Sequence, residues 1–318
     1  MKRISVIVPC LNEQEVIPVY YQTMVPVMEK MKDAEFELLF IDDGSDDRTL
    51  HILRELNKKD KRCRYLSFTR NFGKEAAIYA GLEHAKGDYI AVMDVDLQDP
   101  PRLLPLMYEE LQKGEYDCVA ARRVDRTGEK KIRSFLSGMF YKVINRISRV
   151  QLVEGARDFR MMRREMARAV LKMKEYNRFS KGMFGWVGFR TKWLEYHNVE
   201  RAAGETKWSV RKLLRYSLDG ILGFSTFPLS LSSVGGIFFC GAAFLTICFL
   251  VIRYLIWHDP VQGWTTLMCA IFFIGGIQLL CVGILGQYLA RAYMEVKNRP
   301  IYLLKEKNED EEAKGEKK

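Results

Sequence analysis

The segment "DVDLQD", residues 94 to 99, places Asp94, Asp96 and Asp99 directly after the apolar residues Ala91, Val92 and Met93. Like charges this close raise one another's pKa unless something positive lies among them. In an extended backbone, residues i and i+2 point to the same side, so Asp94 and Asp96 can face one ligand. Hard oxygen donors at that spacing suit Mg2+ or Mn2+, which binds through one or two carboxylates and takes the rest of its shell from substrate phosphates and water. The alternative is an acidic turn open to water, ended by Pro100 and Pro101. A lone D-x-D does not separate the two.

Further polar turns follow apolar runs elsewhere. "PCLNE" (9–13) closes one run and "IDDGSDD" (41–47) closes another, although the latter alone also fits an Asx-type turn. "TRNFGKEAA" (69–77) resembles a phosphate loop at a helix start, yet it lacks the Gly-Lys-Ser/Thr of a P-loop. Four such turns are hard to explain as coincidence. The histidines His51, His84, His197 and His258 show no metal-ligand spacing. Cys10, Cys63 and Cys118 form no C-x-x-C pair, and Cys240, Cys248, Cys269 and Cys281 lie in apolar runs. That usage suits a reduced cytosolic protein with neither a disulfide framework nor a zinc site.

The elements that position these turns are legible as short β-rich runs at 4–9, 36–42, 64–69, 89–94 and 117–122, separated by helical stretches such as 15–32 and 49–59. Strands alternating with helices predict an α/β domain with a Rossmann-like, mostly parallel sheet covered on both faces. Ligands of such sheets sit beyond the carboxyl ends of the strands, where the acidic turns fall. No G-x-G-x-x-G follows the first strand, so a dinucleotide has no support. The segment 130–150 has apolar residues Phe135, Leu136, Met139, Phe140, Val143, Ile144 and Ile147 at helical spacing, amid basic residues. Such a helix can lie in a membrane interface or pack its stripe on the domain core.

Composition divides the chain. It is 48% hydrophobic and 28% charged with a formal net charge of +10, yet the 33 residues of 220–252 and the 31 of 260–290 contain no Asp, Glu, Lys or Arg. A spanning helix needs about 20 predominantly apolar residues, so two transmembrane helices are expected. Lys207, Arg211, Lys212 and Arg215 flank one side and Arg291, Lys297, Arg299 and Lys305 the other, which predicts both flanks in the cytosol and a short external loop. The positive charge fits an anionic leaflet, and no motif supports nucleic acid as the partner. The apolar run of "MKRISVIVPCLNE" is too short for a signal peptide. From Lys305 onward the tail is charged and expected to be disordered.

Taken in order, "PCLNE", "DDGSDD", "DVDLQDP", "GARDFRMM" (155–162) and "ERAAGETKW" (200–208) resemble family 2 glycosyltransferases of the A-type fold. Specifically, the chain is similar to the membrane-anchored polyprenyl-phosphate glycosyltransferases of the dolichyl-phosphate mannose synthase and bacterial GtrB-like branch. It departs from the pattern at "GARDF", where "GAGDF" is expected, and at "ETKW", where "ESKW" or "ESKY" is commoner. The resemblance implies inverting transfer of a hexose from a UDP- or GDP-sugar to a polyprenyl phosphate, undecaprenyl phosphate in a bacterial inner membrane, with the catalytic domain in the cytosol.

Residue by residue, the resemblance implies that Asp94 and Asp96 associate with the Mg2+ or Mn2+ ion, with Gln98 nearby, and that Asp96 is essential to catalysis. Asp42 is expected to meet the nucleoside, with Pro9 and Glu13 lining its pocket. Arg122 is expected to assist one of the phosphates. Arg201 and Lys207, with Arg133 as a further candidate, are expected to bind the acceptor phosphate, and Asp158 to be the catalytic base. The implied organisation is a cytosolic glycosyltransferase domain over 1–205, a juxtamembrane amphipathic segment over 206–228, two transmembrane helices within 229–290 and a cytosolic tail over 291–318. Relatives imply a homo-oligomer, although neither span carries a GxxxG face. A processive polysaccharide synthase would carry a Q-x-x-R-W motif, which is missing from the sequence. An inactive membrane anchor would show eroded acidic motifs.

Overall fold

A computed structural model describes residues 1–124, 131–148, 150–197, 220–257 and 263–308. Its first half alternates strands and helices: β1 (Lys2–Cys10), α1 (Val16–Lys30), β2 (Ala34–Asp42), α2 (Thr49–Lys59), β3 (Cys63–Phe68), α3 (Lys74–His84), β4 (Tyr89–Val92), α4 (Leu103–Gln112) and β5 (Cys118–Arg123). There follow α5 (Lys131–Ile147), β6 (Ala156–Arg163), α6 (Arg164–Leu171), α7 (Ser180–Trp186) and β7 (Thr191–Tyr196). Two long helices, α8 (Phe227–Trp257) and α9 (Trp264–Val296), precede a final strand, β8 (Leu304–Lys307).

The strands form one eight-stranded sheet in the order β7-β5-β6-β4-β1-β2-β3-β8. β1 is parallel to β2 and β4, and β2 to β3. Its interior strands are buried on both faces, which explains why they read as continuous apolar runs. Alternate residues serve opposite layers. Ile4, Val6 and Val8 of β1 pack with Ile17, Tyr20 and Met24 of α1 and Leu104 and Met107 of α4. Ile7 points the other way, to Ala76, Ala77 and Ala80 of α3 and Met166 of α6. The small residues of α3 bring it close to the sheet, and a Cβ at Gly81 would stand 2.2 Å from the Ile7 side chain.

The chain passes from β1 outward through β2 and β3, then returns to place β4 on the other side of β1. That reversal opens a crevice beyond the carboxyl ends of β1 and β4, the position at which open α/β sheets bind ligands. The expected A-type architecture is therefore present, with one addition. β6 lies antiparallel between β4 and β5, so the fourth and fifth sequence-read strands are not neighbours.

The segment read as an amphipathic helix forms α5, and its apolar residues divide. Ile144 is buried, with Tyr141 packed against Val150, Leu152 and Phe179, whereas Met139 and Val143 are exposed. Spans Phe227–Phe249 and Ala270–Val296 each have mean hydropathy 1.9 and are long and apolar enough to cross a membrane. They meet through the Phe239 and Phe273 rings, 5.8 Å apart. The Tyr288 hydroxyl donates to the Ser225 carbonyl at 2.6 Å, and the Tyr176 amide donates to Glu295 Oε1 at 2.9 Å, which joins the end of α9 to the sheet-bearing half.

The start of the charged tail, residues 305–308, departs from the expectation of disorder from Lys305 onward, and the rest lies outside the described residues. Leu304–Lys307 pairs antiparallel with β3. Arg54 Nε donates to Glu306 Oε1 at 2.8 Å, the Tyr65 hydroxyl donates to the same oxygen at 2.7 Å, and Tyr302 stacks on Phe68 with centroids 5.0 Å apart. An open sheet edge supplies backbone partners irrespective of side-chain polarity. That is why a segment without apolar pattern still forms a strand.

Candidate active site

The crevice is walled by four loops that the backbone stitches together. At the ends of β1 and β2, Cys10 pairs with Asp42. Asn12, in the left-handed region at φ 54, accepts from the Asp46 amide at 2.9 Å, and the Glu13 amide donates to Thr49 Oγ1 at 2.9 Å. Pro9, Glu13 and Asp42 are thereby brought to adjacent strand ends. Asp42 itself is 1% exposed, with one carboxylate oxygen accepting from the Ser45 amide at 3.0 Å and the other from Ser67 Oγ at 2.7 Å. Asp47 accepts from the Thr49 amide at 2.9 Å, the Asx geometry that opens α2.

Asp43 ties this loop to the next. Its carboxylate accepts from the Phe72 amide at 2.7 Å and the Gly73 amide at 2.9 Å, fixing the start of α3. Burial pushes the carboxyl up to about 6, against the pull of those two amides. Gly44 permits the contact: at φ +68, any Cβ there would lie 2.4 Å from the Arg70 carbonyl carbon. The first residue of α3 is thus held over the crevice, and it is Lys74.

Lys74 was not singled out by sequence reasoning, although its loop was. Its Nζ lies 2.6 Å from Asp94 Oδ1 and 2.6 Å from Asp158 Oδ2. The antiparallel register explains the meeting, since Val92 of β4 pairs with Arg160 of β6. Continued past that pair, the register brings Asp158 level with Asp94. Burial opposes the charge on each member. For Asp158 it is outweighed by Lys74, then Lys181 and Arg160, which hold the carboxyl well below the usual range. For Lys74 it is outweighed by Asp158 and then Asp94, which raise the ammonium's pKa.

The third carboxylate of "DVDLQD" has a different partner. Asp99 is fully buried and accepts from Arg157 Nε at 3.4 Å, the Asp94 amide at 3.3 Å and the Tyr196 hydroxyl at 3.4 Å. Arg157 Nη2 also donates to Gln98 Oε1 at 3.3 Å. Burial works against the guanidinium, but Asp99, then Asp94, raise its pKa. Arg157 stands where the resemblance expects glycine. Two protein cations, Lys74 and Arg157, therefore answer the crowding of carboxylates that the sequence posed.

The donor set suits a divalent cation on its own terms. Asp94 and Asp96 are partly exposed, and Asp96 Oδ1 accepts from the Gln98 amide at 3.1 Å. Among the described residues no three His, Cys, Asp or Glu side chains converge on a metal position. Asp94 and Asp96 would offer hard oxygens to a cation that takes the rest of its shell from substrate phosphates and water. The amide oxygen of Gln98 faces Arg157, and Asp99 is turned away to Arg157 and Tyr196.

Arg122 is not joined to this cluster. Its Nε donates to the Glu154 carbonyl at 3.1 Å, and its guanidinium lies 3.5 Å from Glu195 Oε1. Arg201 and Lys207 lie outside the described residues, as does the side chain of Arg133, whose backbone belongs to α5.

An acidic pair thus stands at the switch point of an open α/β sheet, braced by protein cations. Comparison with known proteins names the class. Residues 5–171 match glycosyl transferase family 2. The SfII prophage-derived bactoprenol glucosyl transferase of Shigella flexneri is 43% identical over 303 residues, covering 95% of this chain and 97% of its own. The prophage bactoprenol glucosyl transferase homolog of Escherichia coli (strain K12) is 42% identical, covering 95% and 98%. The chain belongs to glycosyl transferase family 2. Among solved structures, glucosyl-3-phosphoglycerate synthase from Mycobacterium tuberculosis, crystallised with Mn2+, UDP-glucose and phosphoglyceric acid, is similar at 21% identity and a TM-score of 0.46, covering 70% of this chain and 78% of its own. That likeness is too distant to speak to chemistry.

Proposed function

We propose that this chain transfers a hexose from a UDP- or GDP-sugar to a polyprenyl phosphate at the cytosolic face of a bacterial membrane, with inversion at the anomeric carbon. The observation that carries it is the match to bactoprenol glucosyl transferases over 95% of the chain, a length that takes in both the sheet and the two apolar helices. Those names make UDP-glucose and undecaprenyl phosphate the first substrates to test.

In a single displacement, an acceptor phosphate oxygen bonds to the anomeric carbon as the bond from that carbon to the nucleoside diphosphate breaks. Negative charge passes from one phosphate to the other. A phosphate monoester carries about −1.5 to −2 charge at neutral pH, so no proton need be removed. Asp158, held ionised by Lys74, is a weak base, and we assign it an electrostatic and positioning role instead. Asp94 and Asp96 would hold the divalent cation, which when bound stabilises charge on the leaving diphosphate. The pocket walls at Pro9, Glu13 and Asp42 shape the nucleoside side. Arg201 and Lys207, which precede the first span in sequence, and Arg133 of α5 are the proposed acceptor-phosphate cations, and Arg122 remains a candidate phosphate contact.

The test is transfer of radiolabel from a panel of UDP- and GDP-sugars into the organic phase, with purified full chain, undecaprenyl phosphate and Mg2+ or Mn2+. Asp96→Asn is expected to abolish transfer while leaving membrane insertion intact. Failure of every donor to label the lipid overturns the proposal, and full activity in Asp96→Asn overturns the metal assignment.

A further inference from the structure

Lys74 stands between two carboxylates, Asp158 and Asp94, the second of which, as proposed above, holds the donor's cation together with Asp96. Its ammonium has three N–H donors, and two are engaged, by Asp94 Oδ1 and Asp158 Oδ2 at 2.6 Å each. The base of this side chain is anchored. Asp43 grips the Phe72 and Gly73 amides immediately before it, and Ala76, Ala77 and Ala80 seat α3 on the sheet.

We propose that Lys74 is a resident counter-ion that keeps a bare divalent cation from Asp94 and yields to a cation arriving with a nucleoside diphosphate, so that metal and nucleotide bind as a pair. A bare cation approaching Asp94 meets a positive charge already bonded to the oxygen it needs. Asp158 resists expulsion of that charge by holding its other side. Like charges a few ångströms apart repel strongly at the effective dielectric of a protein surface. A diphosphate reverses the balance, because it brings negative charge with the metal and gives the displaced ammonium a new acceptor. Linkage makes the effect reciprocal: nucleotide tightens metal binding by the same factor that metal tightens nucleotide binding. Removing the charge at position 74 relieves the repulsion on bare metal and deprives the diphosphate of a partner, so the factor shrinks from both ends.

The test is Mn2+ binding to the full chain, followed by electron paramagnetic resonance of the free ion, with and without UDP or GDP and with neither sugar donor nor lipid. Wild-type protein is expected to bind Mn2+ far more tightly with nucleotide than without. Lys74→Gln is expected to bind Mn2+ alone about tenfold more tightly than wild type and to lose about tenfold of the coupling, whereas Lys74→Arg, which keeps the charge, retains most of it. Unchanged or weaker binding of bare Mn2+ in Lys74→Gln, with the coupling intact, overturns the role of Lys74 alone. Independent binding of Mn2+ and nucleotide to wild-type protein overturns it whatever the variants do. No Mn2+ binding to wild type under any condition overturns the cation reading of Asp94 and Asp96 as well.

Discussion

Arg157→Gly restores the residue that the resemblance expects and tests whether the arginine anchors the acidic turn. Burial pushes the Asp99 carboxyl up from 3.8 to about 6 even with Arg157 opposing it. Without that guanidinium the remaining neighbours are two neutral donors, the like charge of Asp94 and the weaker opposing charge of Lys74, so the value climbs further. A carboxyl whose folded pKa exceeds its unfolded one binds more protons when folded, so its stabilisation is present at low pH and lost as pH rises. Below about pH 6 both proteins carry the proton on Asp99, and the variant lacks the packing of the arginine, its bond to Gln98 and its attraction to Asp94. Above it, the variant falls behind by about 1.4 kcal/mol per pH unit until its own Asp99 ionises. The deficit therefore grows with pH above about 6, by up to about 1.4 kcal/mol per unit for as long as Asp99 stays protonated in the folded variant. For a domain of about 200 residues that is up to about 3–6 °C in Tm per pH unit. Thermal unfolding in detergent from about pH 5 to about pH 8 reads it directly. In the double variant with Asp99→Asn the growth of the deficit should vanish. A deficit independent of pH, or a double variant as pH-sensitive as the single one, refutes the reasoning.

Two further outcomes follow from the packing around the site. Gly44→Ala puts a Cβ into the left-handed region, at about 1–2 kcal/mol, and within 2.4 Å of the Arg70 backbone. The loop carrying Lys74 must shift, so a lower Tm and weakened nucleotide binding are expected, and a variant matching wild type in both melting and binding would disprove the contact. Tyr302→Ala removes the stack on Phe68 and the bonds to His84 Nε2 at 3.0 Å and Glu83 Oε2 at 2.6 Å. A loss of about 2–4 kcal/mol is expected, with faster amide exchange in β3 and α3; unchanged exchange there would show that β8 does not brace the edge.

The strands β1 to β5 were legible because burial on both faces demands unbroken apolar runs, and the polar turns were legible because such runs end where the crevice begins. β6 was not. "ARDFRMMR" interleaves Arg157, Asp158, Arg160 and Arg163 with apolar residues, and it reads as a strand only once their partners are known. Asp158 was found through the family pattern, whereas its bond to Lys74, 84 residues away, has no local signature. β8 escaped notice for a related reason, since "LKEK" is held by an open edge and by Arg54, 252 residues upstream of Glu306.

By itself the sequence determined the alternation of strands and helices, the two apolar spans and the position of the acidic turns. Each of these follows from hydrophobic patterning within a window of a few to about 20 residues. Only the tertiary structure decided what those carboxylates face. The insertion of an antiparallel β6 beside β4 sets Asp158 level with Asp94, and the grip of Asp43 on the start of α3 aims Lys74 between them. Arg157, carried on the same strand, buries Asp99. Charge pairing of this kind depends on strand order and register, which no local pattern encodes, and it turns an acidic run into a site with a built-in cation.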